Sequence, residues 1–135
     1  MEDIRETIKK ELVVKEAITS EDVKFFKQFL AITEKGKVIV KADRAKATYT
    51  DLILLYLVGT KLAHMAGLRE TPHSSLEELA KSLSIAPNAV AARVNECVDR
   101  GEVERKQRGE YEATVGGITS LKERLTRLTQ ASGHA

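Results

Sequence analysis

The chain has 135 residues, 42% apolar and 31% charged, which is the composition of one globular domain with a single core and excludes a disordered or low-complexity protein. Its 22 basic and 20 acidic side chains leave a formal charge of +2, so nucleic-acid binding has to rest on local charge rather than on the whole chain. A single cysteine, Cys97, excludes an internal disulfide and a cysteine-built zinc site, and no apolar run approaches the roughly twenty residues needed to cross a bilayer. Together with the absence of a signal-peptide pattern, this implies an intracellular, cytoplasmic protein.

Ile4, Ile8 and Leu12 recur every four residues among charges and predict a first helix over residues 2–17 with a narrow apolar stripe. That stripe can pack on its own domain or meet a second copy. Thr19, Ser20, Glu21 and Asp22 form an N-cap with an acidic first turn, and Val23, Phe25, Phe26, Phe29, Leu30 and Ile32 predict a broad buried face running to Gly36. Lys37 to Ala42 is β-branched enough for a strand or extended arm. Between Val23 and Ala47 seven basic residues (Lys24, Lys27, Lys35, Lys37, Lys41, Arg44, Lys46) face two acidic ones (Glu34, Asp43). This stretch is either a solvated face or a phosphate-contacting arm.

Thr48 or Thr50 caps a third helix over residues 51–66, apolar on nearly every side and therefore central, with Gly67 as its stop. His64 on it has no second ligand at metal spacing and reads as structural. Thr71-Pro72 forces an extended backbone before Ser75 and Glu78, an S-x-x-E capping box that opens a fourth helix. Leu76, Leu79, Ala80 and Leu83 give that helix its inner face. Ser84-Ile85-Ala86 makes a turn, Pro87 starts a fifth helix to about Arg100, and Val90, Val94 and Cys97 mark its buried side. Gly101 ends it, and Val103 to Lys106 pairs with Glu110 to Val115 around Gln107-Arg108-Gly109. Gly116-Gly117 reads as a break before a last helix with Ile118, Leu121, Leu125 and Leu128 on one side, which either folds back or dimerises.

The ordered set Ala80, Ile85, Val90, Val94, Cys97, Gly101 and Val103 resembles winged helix-turn-helix proteins of the bacterial and archaeal transcription-regulator kind. LLYLVGTKLAHMAGL is also similar to uncharacterised archaeal winged-helix proteins. The resemblance implies a mainly α (α+β) fold: an N-terminal helical extension with a basic arm (1–50), a winged helix-turn-helix (51–116) and a C-terminal helix and tail (117–135). One departure is Ser84, where the turn often holds glycine, so that serine must accept an uncomfortable backbone angle.

The same resemblance implies a DNA-binding transcription regulator, homodimeric through its terminal helices, with double-stranded DNA as partner. Asn88, Ala89, Ala92, Arg93 and Asn95 would then face a major groove, Arg105, Lys106 and Arg108 the backbone, and Lys37, Lys41, Arg44 and Lys46 would act as an auxiliary clamp. Against it, residues 74–115 hold six basic and eight acidic side chains, a net of −2, and the reading face is rich in alanine. A winged helix used for protein contact is the alternative. No glycine-rich phosphate loop, nucleophile with a base, or metal-ligand spacing points to an enzyme, and no cofactor is implied.

Overall fold

The computed structural model describes residues 3–12, 18–107 and 109–132, with side chains to residue 129. The chain runs α1 (Ile4–Glu11), α2 (Ser20–Phe26), β1 (Leu30–Ile32), β2 (Val38–Val40), α3 (Tyr49–Met65), β3 (Ser74–Ser75), α4 (Leu76–Leu83), α5 (Pro87–Asp99), β4 (Val103–Arg105), β5 (Glu110–Ala113) and α6 (Val115–Ser132). This is an α+β architecture of six helices with a two-stranded sheet β1-β2 and a three-stranded antiparallel sheet in the order β3-β5-β4.

Helix α3 is the axis of the molecule. Thr48 and Asp51 close a reciprocal capping box at its start, and Leu52 to Thr60 are buried without interruption. A helix apolar all round has to be enclosed on all sides. The β1-β2 hairpin takes one side, and α4, α5, β5 and α6 take the others. Gly59 is the notch on the hairpin side: a Cβ there would lie 2.5 Å from Val38 Cγ1, so this glycine admits the hairpin to the helix surface.

Three expectations are corrected. The apolar run after Asp22 is not one long helix. Helix α2 opens with the Thr19/Asp22 capping box but ends at Phe26, and Leu30–Ile32 forms a strand paired with Val38–Val40. Leu30 and Val38 gain burial against α3 only as partners across a hairpin, and this non-local pairing overrides helical spacing. Gly36 therefore turns the hairpin at φ +84° instead of stopping a helix.

The second correction is at Gly116-Gly117, which lies inside α6 rather than before it. Thr114 Oγ1 accepts from Gly117 N–H at 2.9 Å and donates to the Gly101 carbonyl at 2.7 Å, tying the helix start to the end of α5. Ile118, Leu121 and Leu125 are buried and Leu128 packs beside them, so the C-terminal stripe folds back onto its own domain.

The third concerns α1. It spans Ile4–Glu11, shorter than expected, and residues 13–17 lie outside those described. Its stripe does not fold back onto the core: Ile4, Ile8 and Leu12 are 68%, 44% and 75% exposed.

Candidate nucleic-acid interface

The candidate interface is built on α4, the turn after it, α5 and the β4-β5 hairpin. Ser75 caps α4 by accepting from Glu78 N–H at 3.0 Å, but the return half of the expected capping box is not made. The Glu78 carboxylate turns inward instead. It accepts from Tyr56 Oη at 2.7 Å and from Arg69 Nη1 at 2.9 Å, and Ser74 Oγ approaches at 3.4 Å. Burial would raise its pKa, but hydrogen bonds from Arg69 and Tyr56 outweigh that and hold it below the ordinary carboxylate value.

Tyr56 Oη also accepts from Ser82 Oγ at 3.2 Å, and buried Thr60 bonds buried Ser74 at 2.9 Å. This polar cluster clips both ends of α4 to α3 and so sets where the following turn and helix stand. Sequence reasoning missed it; the available signal was a phenol and a hydroxyl four residues apart (Tyr56, Thr60) on an otherwise apolar helix. Tyr56→Phe should cost about 1–2 kcal/mol, because Glu78 and Ser82 each lose the buried phenol as a hydrogen-bond partner. Thermal unfolding of the variant checks this.

Ser84 takes the strained angle expected of it, φ +55°, and Ile85 N–H bonds the Ala80 carbonyl at 3.1 Å as its side chain enters the core. Pro87 occupies the first turn of α5, where its missing N–H costs nothing. Val90, Val94 and Cys97 are fully buried. The thiol pKa is pushed up by burial and then by the Glu102 charge, which keeps Cys97 protonated and inert.

Of the residues expected to meet DNA, Asn88, Ala92 and Asn95 are exposed on one stripe of α5. Ala89 is corrected: it is half-buried and packs against the core. Arg93 is half-exposed, with Nη2 3.4 Å from Glu96 Oε1. On the β4-β5 hairpin, the Arg105 guanidinium stands 5.9 Å from the Tyr111 ring centre and Lys106 Nζ is 3.1 Å from Glu104. The Glu104 hydrogen bond and charge raise the Lys106 pKa. Arg108 lies outside the described residues.

Lys37, Lys41, Arg44 and Lys46 are all exposed, but they belong to the β1-β2 hairpin and the loop after it, not to the α5 surface. On α3, Gly59 and Leu62 face that hairpin while Lys61 bonds the Ala113 carbonyl and Glu112 on β5. At 3.6 residues per turn, Lys61 lies about 100° from Leu62 and about 160° from Gly59. The arm and the β4-β5 hairpin thus meet α3 at positions well separated around its axis.

Among the described residues no group of three His, Cys, Asp or Glu is placed to hold a metal ion, and no helix is long and apolar enough to cross a membrane. No protein-family model matches the chain, and no solved structure matches it. An uncharacterized protein of Methanocaldococcus jannaschii is 36% identical over 55 residues, which are 41% of this chain and 21% of that protein. The chain spans about a fifth of the length of this curated relative.

Proposed function

We propose that residues 74–115 form a winged helix-turn-helix and that the protein is a DNA-binding transcription regulator, with α5 in a major groove and the β4-β5 hairpin as the wing at the backbone. The observation that carries this reading is the division of α5. Val90, Val94 and Cys97 anchor one side completely, while Asn88, Ala92 and Asn95 stand in solvent on the other, next in sequence to a hairpin bearing Arg105 and Lys106. The order β3, α4, α5, β4, β5 and the sheet order β3-β5-β4 support the same reading. A second copy would be held through α1, because the α6 stripe is used within the chain.

The test is duplex binding titrated with salt. Each phosphate neutralised contributes a slope of about −0.9 in log affinity against log salt, so Arg105→Ala with Lys106→Ala should flatten the slope by about 1.8. Arg93→Ala should also lower discrimination between sequences by about 1–3 kcal/mol if it reads a guanine. Wild-type binding no better than that of the Arg105/Lys106 variant would sink the proposal.

A second reading, a winged helix that binds protein, is favoured by one specific observation: Arg93, Arg100 and Lys106 each already have a carboxylate beside them. Exposed Ala92 permits close helix approach. Under this reading Ala92→Arg abolishes a salt-insensitive protein complex.

A further inference from the structure

In the α4–β5 region Arg93, Arg100 and Lys106 have carboxylates beside them, whereas the cations of α2 and the β1-β2 hairpin do not. Among the described residues, Lys24, Lys27, Lys35, Lys37, Lys41 and Arg44 form no ion pair with an acidic side chain. Asp43, the nearest acid in sequence to Arg44, spends Oδ1 on the Ala45 N–H at 2.9 Å. Cations without an acidic partner therefore run from α2 through the hairpin to the loop after it.

The hairpin also has a shape. Its ladder continues past the strand ends, through Thr33 N–H to the Lys37 carbonyl at 2.9 Å and Lys41 N–H to the Phe29 carbonyl at 2.7 Å. Val38 is buried and Val40 half-buried against the core, so by strand alternation Lys37, Ile39 and Lys41 turn outward together, with Ala31 paired opposite Ile39. Ile39 is 44% exposed, an aliphatic side chain between two lysines. At roughly 3.3 Å per residue, Lys37 and Lys41 stand about 13 Å apart. The B-DNA major groove is about 12 Å wide and admits a two-stranded ribbon.

We propose that the β1-β2 hairpin is a second duplex-binding element, lying in a major groove with Lys37 and Lys41 on the flanking phosphates and Ile39 against base edges such as thymine methyls. One chain then holds two duplexes. Lys61, which bonds β5, and Leu62 and Gly59, which face the β1-β2 hairpin, are roughly 100–160° apart around the α3 axis, so one duplex reaching both hairpins would have to bend around the fold. The fold has a radius of gyration of about 14 Å, and duplex DNA is stiff over about 150 base pairs. Engaging a second duplex avoids that bend. Double-stranded RNA is a poor substitute, because its deep, narrow major groove shuts out a ribbon.

This inference rests on the DNA-binding reading, and the experiment separates the two. The full chain is mixed with a bead-bound DNA duplex and a fluorescent second duplex, and the label carried to the beads is measured. The wild type should carry it, and Lys37→Ala with Lys41→Ala should cut capture at least tenfold while still binding one duplex. Both side chains are exposed, so an unchanged melting temperature should accompany that loss. Ile39→Asp should do the same, and an RNA duplex of matching sequence should not replace the second DNA. Bridging that survives the double lysine change, or equal capture of RNA, overturns the inference. A wild type that binds one duplex but never a second overturns it as well and leaves the proposed function standing. A wild type that binds no duplex overturns both.

Discussion

Replacing Arg124 by methionine should destabilise the protein by about 3 kcal/mol at neutral pH, read as a fall in melting temperature of about 10 °C or more. Arg124 on α6 holds two buried carboxylates at once: Nε donates to Asp51 on α3 at 3.0 Å and Nη1 to Glu102, after α5, at 2.9 Å. Methionine keeps the packing of the stem but leaves both acids short of a cation. The figure is at the low end for breaking a buried pair, because Arg124 is itself part-exposed and Arg100 still donates to Glu102 at 2.9 Å. Arg124→Lys should rescue little, since an ammonium cannot fork to two carboxylates held on different elements.

The pH dependence follows from Glu102. Burial acts to raise its pKa, but hydrogen bonds from Arg124 and Arg100 overcome this and depress it. A depressed carboxylate contributes stability that is complete above its unfolded value, about 4.3, and is lost as pH falls through the folded value. The gap between wild type and Arg124→Met should therefore be widest at neutral pH and close as the solution is acidified below about pH 4. A gap that stays constant from pH 7 to pH 3 would show that Arg124 acts through its stem and not its charge.

The second large effect sets two adjacent glycines in opposite directions. A Cβ on Gly117 would collide with the Glu102 carbonyl oxygen and lie 2.9 Å from its carbonyl carbon and 3.1 Å from its Cα. All three atoms are backbone and cannot rotate aside, so the start of α6 would have to move, opening the Thr114 hydrogen bonds and shifting Glu102 from its two arginines. Overpacking at the upper end of its range, about 3 kcal/mol, less about 1 kcal/mol of helix propensity regained, leaves Gly117→Ala about 2 kcal/mol less stable. Gly116 meets only Thr114 Oγ1 at 3.6 Å and the Gly101 carbonyl at 3.8 Å. Gly116→Ala should stabilise by about 0.5–1 kcal/mol. Chemical denaturation of the two single variants checks the sign of each; a Gly117→Ala protein as stable as the wild type would mean that the α6 junction is looser than this geometry.

Local chemistry was readable where an element contains its own reasons. The α3 helix announces itself by unbroken apolar residues between Thr48 and Gly67, α5 by Pro87 at its start and Gly101 after its end, and the αL angle at Ser84 by the turn it has to make. The inner residues Val90, Val94 and Cys97 could be named because the helical period places them without knowledge of the partner. Leu30–Ile32 could not be read the same way. Phe26, Phe29 and Leu30 satisfy helical spacing by themselves, and only the pairing with Val38–Val40 makes the extended form the better burial. Gly116-Gly117 resembles a break until the Glu102 backbone stands where a Cβ would be.

Among candidate interface residues the pattern is similar. The outward positions of α5 follow from its buried ones, except Ala89, which the core draws partly inward. Charge pairing could not be deduced, because Arg93, Arg100 and Lys106 meet carboxylates two or three residues away only when the local backbone brings them round. Nor could Glu78 be assigned: an S-x-x-E pattern favours a return bond to the cap, whereas Tyr56 and Arg69, 22 and 9 residues away, offer two stronger partners.

By itself, then, the amino-acid sequence determined where α2, α3, α4 and α5 start, the turn at Ser84, the inner face of α5 and a concentration of lysines between Val23 and Ala47. Those depend on short-range sterics, capping and periodicity, all of which act within a few residues. Tertiary structure alone decided that the lysine segment is a hairpin seated in the Gly59 notch, that α6 is spent on its own core while α1 is left exposed, and that Lys37 and Lys41 stand on a hairpin that meets α3 on a different side from the β4-β5 hairpin. Each of these outcomes is set by contacts between residues far apart in the chain, where burial of α3 from every side outweighs local preference.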